Sequence, residues 1–183
     1  MQHTDLSKYD NRWFNPGAGT IKRLLWYVTS WLCFESGILL PYAWKRSILR
    51  LFGALIGKGV VLKPYVKIKY PWKLEMGDHV WIGEHVWIDN LDTVKIGSHA
   101  CISQGAMILS GNHDYSKASF DLIVKPIAVE NGAWIGAKAV VTQGTSVGSH
   151  AVLTVASVAS GTLAPYGIYR GNPATKVKER LIE

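Results

Sequence analysis

His113 stands near the start of a polar run, SGNHDYSKASFDLIVKPIAVENGAW (110–134), that interrupts an otherwise regular chain. The ordinary pKa of a histidine side chain is about 6.5, so a histidine placed here can accept and release a proton near neutral pH. Its neighbours Asn112, Asp114 and Tyr115 carry hydrogen-bonding groups suited to a polar substrate. The run therefore indicates a site for general base catalysis, and the repetitive chain on either side must position it.

The chain around this run repeats with a period of six. An aliphatic or small residue returns at positions Ile56, Leu62, Ile68, Met76, Ile82, Ile88, Ile96, Ile102, Ile108, Val129, Ile135, Val141, Val147, Leu153 and Ala159. Such hexads are typical of a parallel β-helix, in which each hexad is a short strand followed by a corner and its aliphatic side chain points inward. The predicted fold class is therefore an all-β solenoid.

Interruptions of the six-residue rhythm define the coils. The spacing lengthens by two residues after Ile68 and again after Ile88, so three hexads form one coil of twenty residues. The third interruption falls at the same corner and is the fifteen-residue insertion that begins near His113. Stacked strands are about 4.8 Å apart, so a polar bulge lies one coil below the insertion. From this geometry we expect Asn90 and Asp92 to contact the substrate.

The histidines inside the hexads occupy a different kind of position. They fall in the fourth place of a hexad, a polar corner where a solvated side chain is expected: His79, His85, His99 and His150. A zinc-dependent carbonic anhydrase on such a repeat would need three histidines, two of them close in sequence. The residue five positions beyond His113 is Ala118, so the sequence predicts no metal site.

Basic and aromatic residues are concentrated in the first third of the chain. Residues 1–73 contain twelve Lys and Arg against three acids, whereas the remainder contains eight against ten. An apolar run begins at residue 20, and Glu35, Gly37 and Pro41 interrupt it. Two short amphipathic helices therefore fit this run better than one membrane span.

Two interpretations of this segment stay open. The helices could cap the open end of the solenoid, or they could dock on an anionic membrane surface. The residues that suit such a surface are Lys22, Arg23, Lys45, Arg46, Arg50, Trp26, Trp31 and Trp44. Nucleic acid is not an expected partner, because no zinc pattern, basic helix or RNA-binding signature accompanies the charge.

The length of 183 residues predicts one domain. Cys33 and Cys101 are far apart and lie in apolar surroundings, and the first fifteen residues are polar without the pattern of a signal peptide. We therefore expect a cytoplasmic protein without a disulfide. Its expected segments are a basic, aromatic helical segment (1–55), a β-helix (56–170) with an inserted loop (112–127), and a C-terminal tail (171–183).

Three phrases, SGNHDYSKASF, GAWIGAKAVV and YRGNPA, resemble the hexapeptide-repeat acyltransferases. Within that superfamily the chain is similar, over residues 56–176, to the coenzyme A-dependent sugar O-acetyltransferases of the colanic acid and exopolysaccharide type. The resemblance implies a left-handed β-helix, although crossovers between parallel strands are ordinarily right-handed. It also implies acetyl-CoA as co-substrate, no metal, a homotrimer with its clefts between subunits, and a sugar, sugar nucleotide or lipid-linked glycan as acceptor.

The resemblance also assigns roles to residues. His113 corresponds to the general base that takes the proton of a sugar hydroxyl as it attacks the thioester, with backbone amides of the loop stabilising the oxyanion. Trp134 corresponds to the tryptophan that lines the thioester and pantetheine tunnel, although Trp81 has the same place in an earlier coil. The remaining matches are Gly136, Ala137, Val155 and Ser160 along the cleft, with Lys176 and Lys178 at the coenzyme's phosphates.

Two departures from the family pattern leave the acceptor open. Val155 stands where the family usually has a small residue, and an asparagine common in sugar acetyltransferases has no counterpart near residues 83–85. N-acetylation of an amino sugar is therefore one alternative to O-acetylation. A non-catalytic β-helix that organises partners at a membrane is another, because a fold alone does not fix a function.

Overall fold

The computed structural model describes residues 3–183, so the first two residues of the predicted segment 1–55 lie outside the described residues. Six coils of very short strands stack into a parallel β-helix. The first three coils contain β1 (Leu55–Ile56), β2 (Val61–Leu62), β3 (Lys67–Ile68), β4 (Leu74–Met76), β5 (Trp81–Ile82), β6 (Trp87–Asp89), β7 (Val94–Ile96), β8 (Cys101–Ile102) and β9 (Met107–Leu109).

A hairpin of β10 (Gly111–His113) and β11 (Leu122–Val124) separates the two halves of the solenoid. The last three coils contain β12 (Ile127–Val129), β13 (Trp134–Ile135), β14 (Val140–Val141), β15 (Ser146–Val147), β16 (Val152–Leu153), β17 (Val158–Ala159), β18 (Thr162–Leu163) and β19 (Gly167–Gly171). A final strand, β20 (Ala174–Glu179), follows β19.

The hexads form the three faces of a prism. The first sheet has the order β1-β4-β7-β12-β15-β18, the second β2-β5-β8-β13-β16-β19-β20, and the third β3-β6-β9-β14-β17. Ile56 pairs with Met76 and Leu62 with Ile82, as the twenty-residue coil predicts. Every aliphatic residue of the predicted series is buried in one continuous core, so the sequence rhythm and its interior assignment are confirmed.

Aromatic side chains stack at the corners of the prism. His79, His85, His99 and His150 each adopt a left-handed backbone conformation, with φ between 55° and 59°. His79 stacks on His99 at 5.3 Å between ring centroids, and His150 stacks on Tyr166 at 4.8 Å. These histidines therefore pack at corners, away from the hairpin that carries His113.

Two helices close the N-terminal end of the solenoid: α1 (Thr20–Cys33) and α2 (Tyr42–Leu51). The first coil has no coil beneath it, so its downward carbonyls need other hydrogen-bond donors. Lys45 Nζ donates to the carbonyls of Leu62 and Lys63 at 3.2 and 3.3 Å, and Arg50 Nη2 donates to that of Ile56 at 2.7 Å. Cationic side chains thus provide the hydrogen bonds that a preceding coil would otherwise provide to these carbonyls.

The same contacts revise the expected surface of this segment. Lys45 is fully buried, and the loss of hydration lowers the pKa of its ammonium group. Trp26 is also buried, with its Nε1 donating to the Ile68 carbonyl at 2.9 Å, and Arg46 donates to the Val60 carbonyl. The outward side chains are mostly apolar: Ile21, Leu24, Leu25, Val28, Trp31, Leu32, Trp44 and Leu51. Three of the five cations that were expected to suit a membrane surface, Lys45, Arg46 and Arg50, therefore bond to backbone carbonyls of the first coil.

The C-terminal segment is more ordered than the tail expected from sequence. β20 pairs antiparallel with β19 and extends the second sheet by one strand. Gly171 makes the turn with a φ of 101°, a conformation open to glycine, and its N–H donates to Ser157 Oγ at 3.0 Å. The edge of β19 has unpaired backbone groups, and the polar C-terminal segment forms a strand because it hydrogen-bonds to them.

Candidate active site

The hairpin β10–β11 holds His113 at the mouth of the insertion. His113 pairs with Leu122 across the antiparallel ladder, and the base of the hairpin is tied to the coil below through Ser110. Ser110 Oγ donates to the Asp89 carbonyl at 3.0 Å and accepts from the Asp92 N–H at 2.9 Å. The insertion therefore sits directly above residues 89–92, as the spacing of the hexads predicts.

The hairpin also fixes the tautomer of His113. Nδ1 lies 2.9 Å from the Phe120 carbonyl oxygen. A carbonyl can only accept a hydrogen bond, so Nδ1 carries the proton and the lone pair of the neutral ring lies on Nε2. The ring stacks on Phe120 at 4.4 Å with an interplanar angle of 8°, and Tyr9 contacts it at 5.6 Å between centroids. His113 is therefore a held imidazole with one free basic nitrogen.

A polar cavity of about 700 Å³ opens beside this imidazole. Asn112, Leu122 and the bulge below supply one side, and α1 supplies Arg23. The other wall is the N-terminal segment before α1, whose Asp5 N–H donates to the Ala118 carbonyl in the insertion at 2.8 Å. This segment adds Tyr9, Asn11, Arg12, Phe14 and Pro16 to the lining. Sequence reasoning missed these five residues.

The bulge contributes Asp89 to the cavity in place of the two residues predicted there. Asn90 is fully buried, and its side-chain amide exchanges hydrogen bonds with both backbone groups of Tyr70. Asp92 is turned to its own backbone, with Oδ1 accepting from the Thr93 N–H at 2.7 Å. Neither lines the cavity, so the prediction that they contact the substrate does not fit the geometry. Asp89 does line it, paired with Lys69 at 3.0 Å.

Of the residues predicted beside His113, only Asn112 reaches the cavity. Asp114 instead caps its own turn, accepting from the Ser116 hydroxyl and N–H, and the hydroxyl hydrogen bond lowers the pKa of its carboxyl. Tyr115 is 85% exposed at the tip of the hairpin. Both are absent from the cavity lining.

Most of the predicted cofactor residues lie on or beside the second sheet, whereas His113 follows the third sheet. Trp134 projects from β13 in the second sheet, half exposed, with its Nε1 donating to Ser103 Oγ at 2.8 Å. It is in register with Val152, then Ile168, then Lys178. Three strand spacings separate the first and last members of this row, which is about 14 Å. A tryptophan and a cation thus mark the two ends of one row.

Three other cofactor candidates gather near the corner after β13, and the remaining ones lie elsewhere. Ala137 O accepts from the Ala156 N–H at 2.9 Å, which places Gly136, Ala137 and Val155 together. Ser160 is exposed beyond β17. On β20 the Lys176 ammonium pairs with Glu179 at 2.5 Å, and this hydrogen bond raises the pKa of Lys176. None of the seven predicted cofactor residues lines the cavity that contains His113.

We predict that Gly136→Ala destabilises the protein by about 1–3 kcal/mol, as overpacking does. A Cβ at Gly136 would lie 2.7 Å from Val155 N and 2.8 Å from Leu153 O, both backbone atoms of the next coil. Urea unfolding measures the effect. Gly19→Ala is the control, because no atom lies within 4 Å of its added Cβ, so it has only the cost of alanine at the N-cap of α1. A Gly136→Ala variant that is as stable as the wild type would contradict the overpacking.

Among residues 3–183, no group of three His, Cys, Asp or Glu side chains is placed to hold a metal ion. Both cysteines are free. In the same range no helix is long and apolar enough to cross a membrane.

The fold and the site together define a class of protein: a hexad-built parallel β-helix interrupted by one hairpin that holds a basic imidazole beside a polar cavity. No protein-family model matches the chain. The chain is 36% identical over 165 residues to an Escherichia coli K12 protein named colanic acid biosynthesis acetyltransferase WcaF, covering 90% of this chain and 91% of that protein. It therefore belongs to the hexapeptide-repeat acetyltransferases of the colanic acid biosynthesis type.

Other similarities are more distant. The galactoside O-acetyltransferase of Escherichia coli K12 is 22% identical over 138 residues, 74% of this chain and 68% of that protein. A hexapeptide-repeat acetyltransferase of Vibrio cholerae, solved with acetyl coenzyme A, has a TM-score of 0.80 at 22% identity and covers 92% of this chain and 93% of its own. A galactoside acetyltransferase solved with coenzyme A has a TM-score of 0.78 at 20% identity, with 87% and 80% coverage.

These comparisons confirm two predictions. The fold is the left-handed parallel β-helix of this family. The chain is an acetyltransferase, as the three sequence phrases indicated, so the alternative of a non-catalytic scaffold loses its support.

Proposed function

We propose that this protein transfers the acetyl group of acetyl-CoA to a sugar hydroxyl during synthesis of an exopolysaccharide or another cell-surface glycan. The observation that carries the proposal is the Nδ1–Phe120 hydrogen bond, which leaves Nε2 of His113 as a base beside a polar cavity. The names of the relatives support it: colanic acid biosynthesis for one, galactoside O-acetylation for another, and bound acetyl coenzyme A in a third.

The residues of this chain suit the proton transfer that the reaction needs. Acetyl-CoA, when bound, supplies an activated acyl thioester. Nε2 of His113 takes the proton of the acceptor hydroxyl while the new C–O bond forms and the C–S bond breaks. The imidazolium then returns that proton to the departing sulfur, so His113 ends each turnover neutral. Phe120 and Tyr9 enclose the ring and limit the access of water to it.

The experiment that tests this function is acetyl transfer to a panel of free sugars, sugar nucleotides and lipid-linked sugars. Release of coenzyme A reports turnover, and the alkaline lability of the product separates an ester from an amide. We expect a base-labile ester on at least one sugar. An amide product would replace this proposal with N-acetylation, and coenzyme A release that ignores every sugar would remove it.

We further propose that the active form is a homotrimer. In one chain the cavity with His113 and the row from Trp134 to Lys178 lie on different faces of the prism. A closed ring of three copies can bring the cavity of one copy against the row of its neighbour. The row's exposed Trp134 and Trp81 would then be covered. Light scattering of an active monomer would contradict this assembly.

We also propose that the outer face of α1 and α2 docks on a membrane, which holds the cavity near a lipid-linked glycan. Because Lys45, Arg46 and Arg50 are occupied by backbone carbonyls, insertion of apolar side chains would dominate. α1 also contributes Arg23 to the cavity, so docking through its opposite side would place the cavity about one helix diameter, roughly 10 Å, from the lipid surface.

Liposome flotation tests the docking. We expect the protein to float with neutral as well as anionic liposomes and to lose little binding in high salt, because hydrophobic insertion is not screened as surface charge is. Leu24→Ser combined with Val28→Ser should reduce flotation, since both side chains are exposed on α1. A wild-type protein that stays in the soluble fraction with both kinds of lipid would leave the helices as a cap only.

A further inference from the structure

The cavity beside His113 contains three cations, and two of them are already paired with carboxylates. Arg12 makes a bidentate contact with Asp10, with its Nε 3.0 Å from each oxygen and its Nη2 2.6 Å from one. This pair lowers the pKa of Asp10 to about 2. Lys69 Nζ lies 3.0 Å from Asp89 Oδ1. These two charges are therefore balanced within the chain.

Arg23 is the third cation, and it has no carboxylate partner within residues 3–183. Its Nε is buried and has no hydrogen-bond acceptor among the described residues. The rest of the guanidinium has neutral partners, Thr20 Oγ1 at 3.4 Å from Nη2 and the Tyr70 phenol. A guanidinium carries five donors, and a buried donor without an acceptor is costly. The guanidinium of Arg23 therefore lacks an anionic hydrogen-bond acceptor that a bound ligand could provide.

The neighbours of Arg23 do not provide the missing negative charge. Burial, reinforced by Tyr27, raises the pKa of Tyr70, so that phenol stays neutral at physiological pH. The other carboxylate of the cavity, Asp89, is next to Lys69. Asp89 Oδ1 is itself buried beneath Lys69. The charge of the cavity that no carboxylate balances is therefore that of Arg23.

We propose that the acceptor is an anionic sugar derivative, a glycosyl phosphate or diphosphate, whose phosphate binds Arg23. The proposal rests on the function proposed above and narrows its substrate class. The guanidinium fork matches phosphate oxygens with two parallel hydrogen bonds. The cavity, at about 700 Å³, has the size of sites that hold multi-ring ligands, so it accommodates a sugar together with its phosphate. A sugar nucleotide and a polyprenyl diphosphate sugar share this chemistry.

Calorimetry with a nucleoside diphosphate hexose, in the absence of acetyl-CoA, tests the anion site directly. We expect Arg23→Gln to raise the Kd about tenfold or more, the usual cost of losing a charged hydrogen bond. Arg23→Lys keeps the charge and loses the fork, so it should recover part of the affinity. Lys58→Gln, an exposed cation outside the cavity, is the matched control and should bind as the wild type does. Unchanged Kd in both Arg23 variants would overturn the proposal.

Turnover distinguishes the acceptor classes. We expect the wild type to have a higher kcat/KM for a glycosyl diphosphate than for the neutral methyl glycoside of the same hexose. In Arg23→Gln this difference should disappear, because the KM for the glycosyl diphosphate rises. The better of the nucleotide and polyprenyl forms identifies the source of the phosphate. Equal use of the neutral glycoside, or preference for a uronic acid glycoside, would overturn the phosphate assignment while leaving sugar O-acetylation intact. Absence of acetyl transfer to any sugar, with the calorimetric difference preserved, would instead remove the proposed function.

Discussion

His113→Ala is expected to lower kcat about 100-fold or more, the range for loss of a general base. The physical reason is that alanine removes the Nε2 lone pair, and no other imidazole lines the cavity. Affinity for acetyl-CoA should change little, because the predicted cofactor residues lie outside that cavity. Steady-state kinetics with saturating acceptor measures the change.

His99→Ala is the matched control for this variant. His99 stacks on His79 at a corner of the prism and does not line the cavity. Its loss should leave kcat within about twofold, since His99 lies outside the cavity. Any cost of placing alanine at its φ of 59° falls on stability and not on the chemistry. A folded His113→Ala protein with near-normal kcat would assign the proton transfer to another group, and Asp89 would be the first to examine.

Mixing two inactive variants is expected to restore activity if the site forms between subunits. His113→Ala lacks the base, and Trp134→Ala lacks the aromatic end of the cofactor row. When the two are unfolded, mixed in equal amounts and refolded together, each interface combines two subunits at random. Roughly one quarter of the interfaces then carry both intact residues, as follows from the symmetry of a closed ring. Coenzyme A release should rise to about that fraction of the wild-type rate.

The control for complementation is each variant refolded alone, which should stay inactive. A mixture that stays as inactive as its components, although it forms mixed trimers, would place His113 and Trp134 of the same chain in one site. A Trp134→Ala variant that is fully active alone would remove this tryptophan from the cofactor site. Trp81→Ala, two strands away in the same register, tests whether any exposed tryptophan of that column is required.

The sequence predicted the solenoid and the location of the site because both depend on buried periodicity. Aliphatic residues at every sixth position are all buried when the chain forms a β-helix. The three interruptions of that period then give the length of one coil and the corner from which the insertion leaves. The same argument selects His113 as the candidate base, since it is the histidine at an interruption. The bulge was placed correctly one coil below it.

The misplaced residues show where periodicity stops being informative. Asn90 was predicted to contact the substrate, whereas Asp89 lines the cavity. Neighbouring side chains of an extended chain point to opposite sides, so an error of one residue exchanges a buried side chain for one in the cavity. Lys45 and Arg50 were predicted to suit a membrane surface. The sequence does not show that the first coil has unpaired carbonyls, such as those of Leu62 and Ile56, to which these side chains donate. Tyr9 and the rest of the N-terminal wall are brought to His113 only by tertiary packing.

The geometry of the transfer can be tested most directly by a crystal structure of the protein with coenzyme A and a non-reactive acceptor analogue. The account predicts the acceptor hydroxyl within about 2.6–3.2 Å of His113 Nε2, the reach of a general base. It also predicts the coenzyme sulfur at the rim of the same cavity, with the pantetheine arm along Trp134 of a neighbouring copy. An acceptor bound away from His113, or a coenzyme sulfur that cannot approach this cavity in any assembly, would contradict it.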